Sequence, residues 1–391
     1  MKKLFIAFLF VSINSNAQQF ATNIISGAEQ LDQYLPSLSN KKVALLVNQT
    51  SVVNQIHLVD TLLSQKISIV KIFAPEHGFR GTADAGEKVK SGIDVKTGLP
   101  IASMYGASKK PSKESMQGID VVVFDIQDVG ARFYTYISSL QYMMEACASF
   151  GIPLIILDRP NPNGFYIDGP VLDTSLRSFV GMQPIPIVHG MTVGEYAMML
   201  NGENWLQNKT KCELKVIPCK NYTHLSLYEL PIPPSPNLKS MTAIYLYPSL
   251  CLFEGTDVSV GRGTPTPFEI WGHPNFSNTL FKFTPMSMAG AKSPPHENNI
   301  CYGEDLRLGA WGALKKVNNR LNLSFLQKAY GLAQDKKSFF NPFLEKLIGN
   351  KHFRSQIISR KSELEIRKSW QPNLSKFKLI RKKYLLYEDF Y

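Results

Sequence analysis

Short, mainly apolar segments recur through the first half of the chain, with helical patterns between them. The apolar segments are residues 42–47, 67–73, 121–124 and 154–157, and apolar residues at helical spacing fill residues 133–148. Buried strands that alternate with helices favour a parallel sheet covered on both faces. We therefore predict an α/β fold, in which a Rossmann-like parallel sheet domain precedes a smaller α+β C-terminal domain.

Polar residues follow each of these four predicted strands. They are, in chain order, Asn48, Glu76, Asp125, Asp128, Asp158 and Arg159. The carboxyl ends of parallel strands meet at one edge of the sheet, where ligands bind, so we expect these side chains to gather in one crevice. Taken singly, each carboxylate has a more common role as a helix cap, turn former or ion-pair partner. The first turn lacks the Gly-x-Gly-x-x-Gly fingerprint, so we predict no dinucleotide and no other cofactor.

The second strand leads into the turn Phe-Ala-Pro-Glu-His-Gly-Phe-Arg-Gly at residues 73–81. Pro75 ends the strand, and the glycines allow backbone angles that other residues resist. Glu76 is a catalytic candidate on this loop, and His77 and Arg80 are substrate-binding candidates. The competing interpretation is a surface turn whose charged side chains are solvated.

A second glycine-rich loop, residues 254–264, follows a predicted helix over residues 241–253. Glu254 is a further catalytic candidate on this loop, and Arg262 is a substrate-binding candidate. Trp271 lies downstream and could stack on a sugar ring, although core packing is the more common role of a single tryptophan.

His189 precedes a helix that Thr192 could cap, and we assign this histidine a supporting role in substrate binding. The proline-rich residues 231–236 break regular structure and predict a crossing between domains. We therefore place the Rossmann-like domain at residues 18–235 and the C-terminal domain at residues 236–391.

Residues 1–17 predict a cleavable signal peptide. A basic start, Met-Lys-Lys, precedes an apolar run and then small residues up to Ala17. No later segment is long and apolar enough to predict a membrane span. We therefore expect an exported protein, either periplasmic or secreted.

The formal net charge of +12 favours acidic partners. The basic residues are spread out and no nucleic-acid-binding motif occurs, so an anionic envelope polymer is a better candidate partner than nucleic acid. The five cysteines match no zinc pattern, and we predict no metal site. We expect mostly buried thiols, with a local bridge between Cys212 and Cys219 as the alternative.

Four long motifs occur in a fixed order, at residues 73–81, 124–136, 158–162 and 253–263. Together they resemble motifs of the NamZ-type exo-β-N-acetylmuramidases, glycoside hydrolase family 171, which was long filed as a domain of unknown function. The resemblance runs from about residue 22 to the C-terminus. It implies an enzyme that removes terminal N-acetylmuramic acid from the non-reducing ends of peptidoglycan-derived disaccharides or muropeptides. It also implies an active-site cleft between a Rossmann-like domain and a C-terminal domain.

The resemblance identifies Glu76, in the Pro-Glu-His-Gly motif, with the proposed catalytic acid of the family. Glycosidic cleavage needs such an acid to protonate the leaving oxygen. It also needs a second group that acts as nucleophile, activates water or assists the acetamido group of the substrate. Asp125, Asp128 and Glu254 compete for this second role.

The substrate expected from the resemblance carries a lactyl carboxylate, which arginine can bind with two parallel hydrogen bonds. Arg80, Arg132 and Arg262 all lie on predicted site loops. The remaining predicted substrate-binding residues are Tyr134, Asp158 and Arg159.

Two other classes of function stay open at this point. A metal-dependent hydrolase could use Asp125, Asp128, Asp158 and His77, although no His-Glu-x-x-His motif occurs. A non-catalytic protein that binds envelope glycans would keep the aromatic and arginine side chains and would need no poised acid. Activity that survives chelation would argue against the first class, and product release would exclude the second.

Overall fold

A computed structural model describes residues 20–80, 91–106, 109–276 and 279–390. The predicted signal peptide, residues 1–17, lies outside these ranges. Within them, no helix combines the length and the apolar character that crossing a membrane requires.

The described part of the chain contains twelve strands, which form three sheets. The strands are β1 (Val43–Val47), β2 (Val52–Val53), β3 (Ile56–His57), β4 (Ile69–Ala74), β5 (Gly92–Ile93), β6 (Pro100–Ser103), β7 (Val121–Asp125), β8 (Leu154–Leu157), β9 (Leu214–Ile217), β10 (Ile270–His273), β11 (Phe281–Phe283) and β12 (Cys301–Asp305). The four strands predicted from the sequence correspond to β1, β4, β7 and β8.

The described residues also form eleven α-helices. They are α1 (Leu31–Leu38), α2 (Leu58–Ser64), α3 (Lys113–Met116), α4 (Tyr136–Phe150), α5 (Val193–Gly202), α6 (Met241–Leu250), α7 (Gly309–Val317), α8 (Ser324–Leu332), α9 (Phe343–Ile348), α10 (Phe353–Ile358) and α11 (Glu363–Arg381). The predicted cap of α5 is present, because the Thr192 hydroxyl accepts from the backbone N–H of Glu195.

The central sheet has seven strands in the order β5-β6-β4-β1-β7-β8-β9. Neighbouring strands run parallel except β5 and β6, which are antiparallel. Every residue of β1, β7 and β8 is buried, as expected for strands covered on both faces. From β1 the chain builds one side of the sheet through β4 and β6, and then the other side through β7, β8 and β9. The predicted α/β fold is confirmed, and its switch point lies between β1 and β7.

The second part of the chain forms a smaller α+β domain. Its antiparallel sheet has the order β10-β12-β11 and is followed by helices α7 to α11. Lys316 of α7 and Lys328 of α8 both pair with Glu304 of β12. The last described residues return to the first part, where the backbone N–H of Leu386 donates to Glu195. The division at residues 235 and 236 stays a prediction.

Candidate active site

A cleft of about 920 Å³ lies between the carboxyl edge of the central sheet and the C-terminal domain. This volume is near the upper end of the range usual for small-molecule sites. Five of the residues predicted from the sequence line it: Glu76, His77, Tyr134, Glu254 and Arg262. The predicted loops after β4 and after α6 therefore face the same space.

A tight turn at the end of β4 presents Glu76 to the cleft. The backbone N–H of Gly78 donates to the carbonyl of Pro75 at 3.0 Å, which closes the turn. His77 has φ of 68° and Gly78 has φ of 78°. A left-handed conformation is unusual for histidine, and such backbone strain clusters at functional sites. His77 is buried, whereas Glu76 is half-buried and reaches the cleft.

Two hydroxyl groups contact the Glu76 carboxylate. The Thr135 hydroxyl donates to Glu76 Oε2 at 2.6 Å, and the Tyr105 side chain forms a second hydrogen bond with Glu76. Burial first, and then the Glu76 charge and this hydrogen bond, raise the pKa of Tyr105. A hydroxyl can donate to a carboxylate or accept from a carboxylic acid, so these two partners suit either protonation state of Glu76.

Glu254 and Arg262 form an ion pair on the opposite part of the cleft. Nε and Nη2 of Arg262 both donate to Glu254 Oε1, at 2.9 and 2.6 Å. Burial lowers the pKa of Arg262, but the Glu254 carboxylate outweighs it, and the net shift is upward. The guanidinium also lies 5.1 Å from the centroid of the Phe268 ring. The pair keeps a charged guanidinium beside a cleft-lining carboxylate.

Aromatic rings from both domains form the floor of the cleft. Tyr247 contacts Phe133, Tyr134 and Phe268 edge to face, with ring centroids 5.1 to 5.7 Å apart. Trp271 is fully buried against Phe253, so its suggested role as a sugar-stacking surface is wrong and core packing explains it.

Several residues of the cleft lining were not predicted from the sequence. Phe179 is half-buried and lies 5.9 Å from the Tyr105 ring, and the Lys109 ammonium lies 4.8 Å from the Phe179 centroid. Lys292 and Lys346 add positive charge to the lining. Thr135 lies within the motif at residues 124–136, but the other residues lie in segments without periodic or motif signals.

Asp125 and Arg159 lie at the same sheet edge but outside the cleft lining. Arg159 donates to both carboxylate oxygens of Asp125, at 2.5 and 2.9 Å, and both residues are buried. Burial lowers and Asp125 raises the pKa of Arg159, with a net upward shift. The structure gives these two predicted site residues a buried ion pair instead of access to the cleft.

Asp158 and Asp128 are also buried and outside the lining. Asp158 accepts from the backbone N–H of Gly194 and from the Tyr387 hydroxyl, at 2.8 and 2.6 Å. Burial raises its pKa to about 6 despite these donors. Asp128 accepts from the backbone N–H of Gly130 at 2.7 Å, and burial raises its pKa to about 7.

The other predicted binding residues each have contacts away from the cleft lining. Arg80 pairs with both carboxylate oxygens of Asp94, at 2.8 and 2.9 Å. Arg132 is buried and donates to the backbone carbonyls of Pro170, Ile185 and Leu347. His189 is buried, and burial together with nearby positive charge lowers its pKa to about 3.

No group of three or more His, Cys, Asp or Glu side chains is arranged to hold a metal ion in the part of the chain that the structure describes. All five cysteines are buried free thiols, so Cys212 and Cys219 are not bridged.

The fold and the cleft define a two-domain α/β protein with two carboxylates in a cleft lined by aromatic and charged side chains, an arrangement that glycoside hydrolysis can use. Two family models match the chain: exo-β-N-acetylmuramidase NamZ, N-terminal, over residues 43–242, and exo-β-N-acetylmuramidase NamZ, C-terminal, over residues 245–387. The chain belongs to the NamZ family of exo-β-N-acetylmuramidases.

Similar proteins agree with this assignment. The chain is 37% identical over 376 residues to the peptidoglycan β-N-acetylmuramidase NamZ of Bacillus subtilis strain 168. The matched region covers 91% of this chain and 89% of the relative. A crystal structure of a DUF1343 family protein from Bacteroides fragilis has a TM-score of 0.87 and 50% identity, covering 94% of this chain and 100% of that chain. The crystal structure of a second protein of that family and organism has a TM-score of 0.74 and 29% identity, covering 93% of this chain and 99% of that chain.

Proposed function

We propose that this protein is an exo-acting glycosidase that releases terminal N-acetylmuramic acid from the non-reducing ends of peptidoglycan fragments. The observation that carries the proposal is the convergence of Glu76 and Glu254, from two separate family motifs, on one cleft. The relative from Bacillus subtilis, named a peptidoglycan β-N-acetylmuramidase, supports the same substrate class.

In this proposal, Glu76 is the general acid that protonates the leaving oxygen. Its turn at the end of β4 and its two hydroxyl partners fix the carboxyl group at the cleft surface. Glu254 is the second carboxylate, because Asp125 and Asp128 are buried outside the lining. A charged guanidinium beside Glu254 suits a group that works as an anion, whether it activates water, attacks the sugar or orients the acetamido group.

The proposal assigns recognition of the lactyl carboxylate to Arg262. Of the three arginines predicted for this role, it is the one that lines the cleft. Glu254 accepts from two of its N–H donors, and a guanidinium carries five. Lys109, Lys292 and Lys346 give the lining further positive charge, which favours an acidic sugar over a neutral one.

Product analysis tests the proposed function. The purified protein is incubated with the disaccharide that has N-acetylmuramic acid at its non-reducing end, and with the disaccharide of reversed order. We expect free N-acetylmuramic acid, detected by mass spectrometry, from the first substrate alone. Failure to cleave the first disaccharide, or release of internal fragments from long glycan strands, would refute an exo-acting muramidase.

We further propose that the protein is exported after removal of residues 1–17, which supports access to envelope fragments. The intact mass of the protein recovered outside the cytoplasm tests this step. A mature chain that begins near Gln18 is the expected result, and a chain that retains Lys2 and Lys3 would contradict it.

A further inference from the structure

Thr135 occupies the N-cap position of α4 but does not cap that helix. A threonine at this position usually accepts a hydrogen bond from a backbone N–H of the first turn. No such bond from the Thr135 side chain is present, and the backbone N–H groups of Ser138 and Ser139 bond to the carbonyl oxygen of Thr135 instead. Thr192, at the N-cap of α5, shows the ordinary arrangement with Glu195. The Thr135 hydroxyl therefore has a different partner from that of a typical cap.

That partner is Glu76, which lies in the turn after β4. The Thr135 hydroxyl donates to Glu76 Oε2 at 2.6 Å, and both residues line the cleft. A chain reversal at residues 131–135, in which the backbone N–H of Tyr134 donates to the carbonyl of Ala131, sets the position of Thr135 just ahead of α4. The hydroxyl is thus held by the end of a rigid helix of fifteen residues.

Tyr105 contacts the same carboxylate from a third element, the segment after β6. Its ring lies 5.9 Å from that of Phe179, which in turn stacks on Tyr142 of α4 with the rings 10° from parallel. The phenol is therefore held by packing before any substrate arrives. Glutamate has a flexible side chain, and two fixed partners limit the orientations that its carboxyl group can take.

We infer that Thr135 is a positioning residue, which together with Tyr105 holds the Glu76 carboxyl group in its working orientation. The inference rests on the proposed function for its kinetic consequence, but the contact itself does not depend on which role Glu76 has. Misplacement of a reacting group by about 1 Å can cost roughly a hundredfold in rate, so the loss of one partner should be measurable.

The first experiment compares Thr135→Val, which removes the hydroxyl at nearly constant shape, with Thr135→Ser, which keeps it. We expect Thr135→Val to lower kcat on a disaccharide roughly ten- to a hundredfold with little change in KM, and Thr135→Ser to restore most of it. In a Glu76→Gln background, Thr135→Val should cause no further loss, because residues that act through one group are not additive. Equal losses for valine and serine, or additive losses in the double variant, would overturn the inference.

Thr192→Val provides a matched control, since it removes the hydroxyl of a threonine that does cap its helix. We expect this variant to lower the midpoint of thermal unfolding while kcat and KM stay unchanged. Thr135→Val should show the reverse pattern, with kcat reduced and the midpoint nearly unchanged. A fall in kcat that follows the loss of stability in both variants would mean that Thr135 has only a structural role.

Crystal structures of the two Thr135 variants test the contact without any activity measurement. In Thr135→Ser, Glu76 Oε2 should stay within hydrogen-bond distance of the new hydroxyl, and in Thr135→Val the carboxyl group should move or occupy several rotamers. An unmoved Glu76 in Thr135→Val would overturn the inference even if the protein is a muramidase. Absence of muramidase activity in the unmodified protein would refute the proposed function, while a displaced Glu76 would still support the positioning contact.

Discussion

Two groups of charged side chains lie at the carboxyl edge of the same parallel sheet, and their surroundings differ. Glu76, after β4, reaches an open cleft. Asp125, at the end of β7, and Asp158 and Arg159, after β8, are buried, and we call these three residues the buried polar cluster. The Tyr387 hydroxyl near the C-terminus and the backbone carbonyl of Val52 contact this cluster. Strand topology therefore sets where polar residues gather, and the segments that cover each strand end determine which of them can meet a ligand.

The largest expected effect is the loss of activity in Glu76→Gln. This change keeps the shape of the side chain but removes the proton that can be transferred, and general acid catalysis is typically worth a factor of about 10² to 10⁴. We expect kcat/KM on a natural disaccharide to fall by this factor. On an aryl glycoside, whose phenolate leaves without protonation, kcat/KM of the variant should fall much less. Equal losses on both substrates, for a variant shown to be folded, would remove Glu76 from the acid role.

The buried polar cluster should respond in the opposite way, with a loss of stability. Asp125→Asn leaves Arg159 as a buried guanidinium without its charged partner, and breaking such a pair typically costs about 3 to 5 kcal/mol of unfolding free energy. Urea unfolding measures the loss, and kcat/KM per folded molecule should stay near that of the unmodified protein. A double variant, Asp125→Leu with Arg159→Met, should recover part of the stability because it removes both charges. A stable Asp125→Asn protein without activity would instead place Asp125 in the catalytic machinery.

The buried Asp128 carboxyl group should make the unfolding free energy depend on pH. Its pKa of about 7 lies above the ordinary value of 3.8, because burial disfavours the charged form. The native state therefore keeps a proton that the unfolded chain releases, and the stabilisation is present below about pH 4 and is lost as pH rises through about 7. Asp128→Asn lacks this proton equilibrium. The unfolding free energy of the variant minus that of the unmodified protein should therefore increase between pH 4 and pH 7.5, by at most about 4 kcal/mol. Parallel pH dependences of the two unfolding free energies would show that Asp128 is ionised in the native state.

The sequence alone predicted the sheet and the loop that carries Glu76, because apolar runs, glycines and prolines act locally. It could not predict which polar residues would be covered. The contacts that decide this join residues far apart in the chain, with 229 positions between Tyr387 and Asp158 and 215 between Arg132 and Leu347. The bond from Thr135 to Glu76 spans 59 positions and goes against the usual capping role of threonine, so no local rule indicates it.

The smallest expected effect concerns the choice of sugar by the arginines. The three arginines predicted to bind a carboxylate lie in three surroundings: Arg262 lines the cleft, Arg80 pairs with Asp94, and Arg132 is buried among backbone carbonyls. Arg262→Lys keeps a positive charge beside Glu254 but loses the planar fork that binds a carboxylate with two bonds. We expect this change to reduce the preference for N-acetylmuramic acid over N-acetylglucosamine glycosides about tenfold, measured as the ratio of kcat/KM values.

Arg80→Lys is the matched control for this last comparison, because it makes the same chemical change in an arginine whose partner lies outside the cleft lining. It should leave the ratio for the two sugars unchanged, since Arg80 is exposed and its pairing with the buried Asp94 serves local stability outside the cleft lining. A reduced preference in Arg80→Lys with none in Arg262→Lys would transfer carboxylate recognition to the loop of Glu76. An unchanged ratio in both variants would assign it to the lysines of the lining, and Lys109→Met, Lys292→Met and Lys346→Met would then identify which one binds the lactyl group.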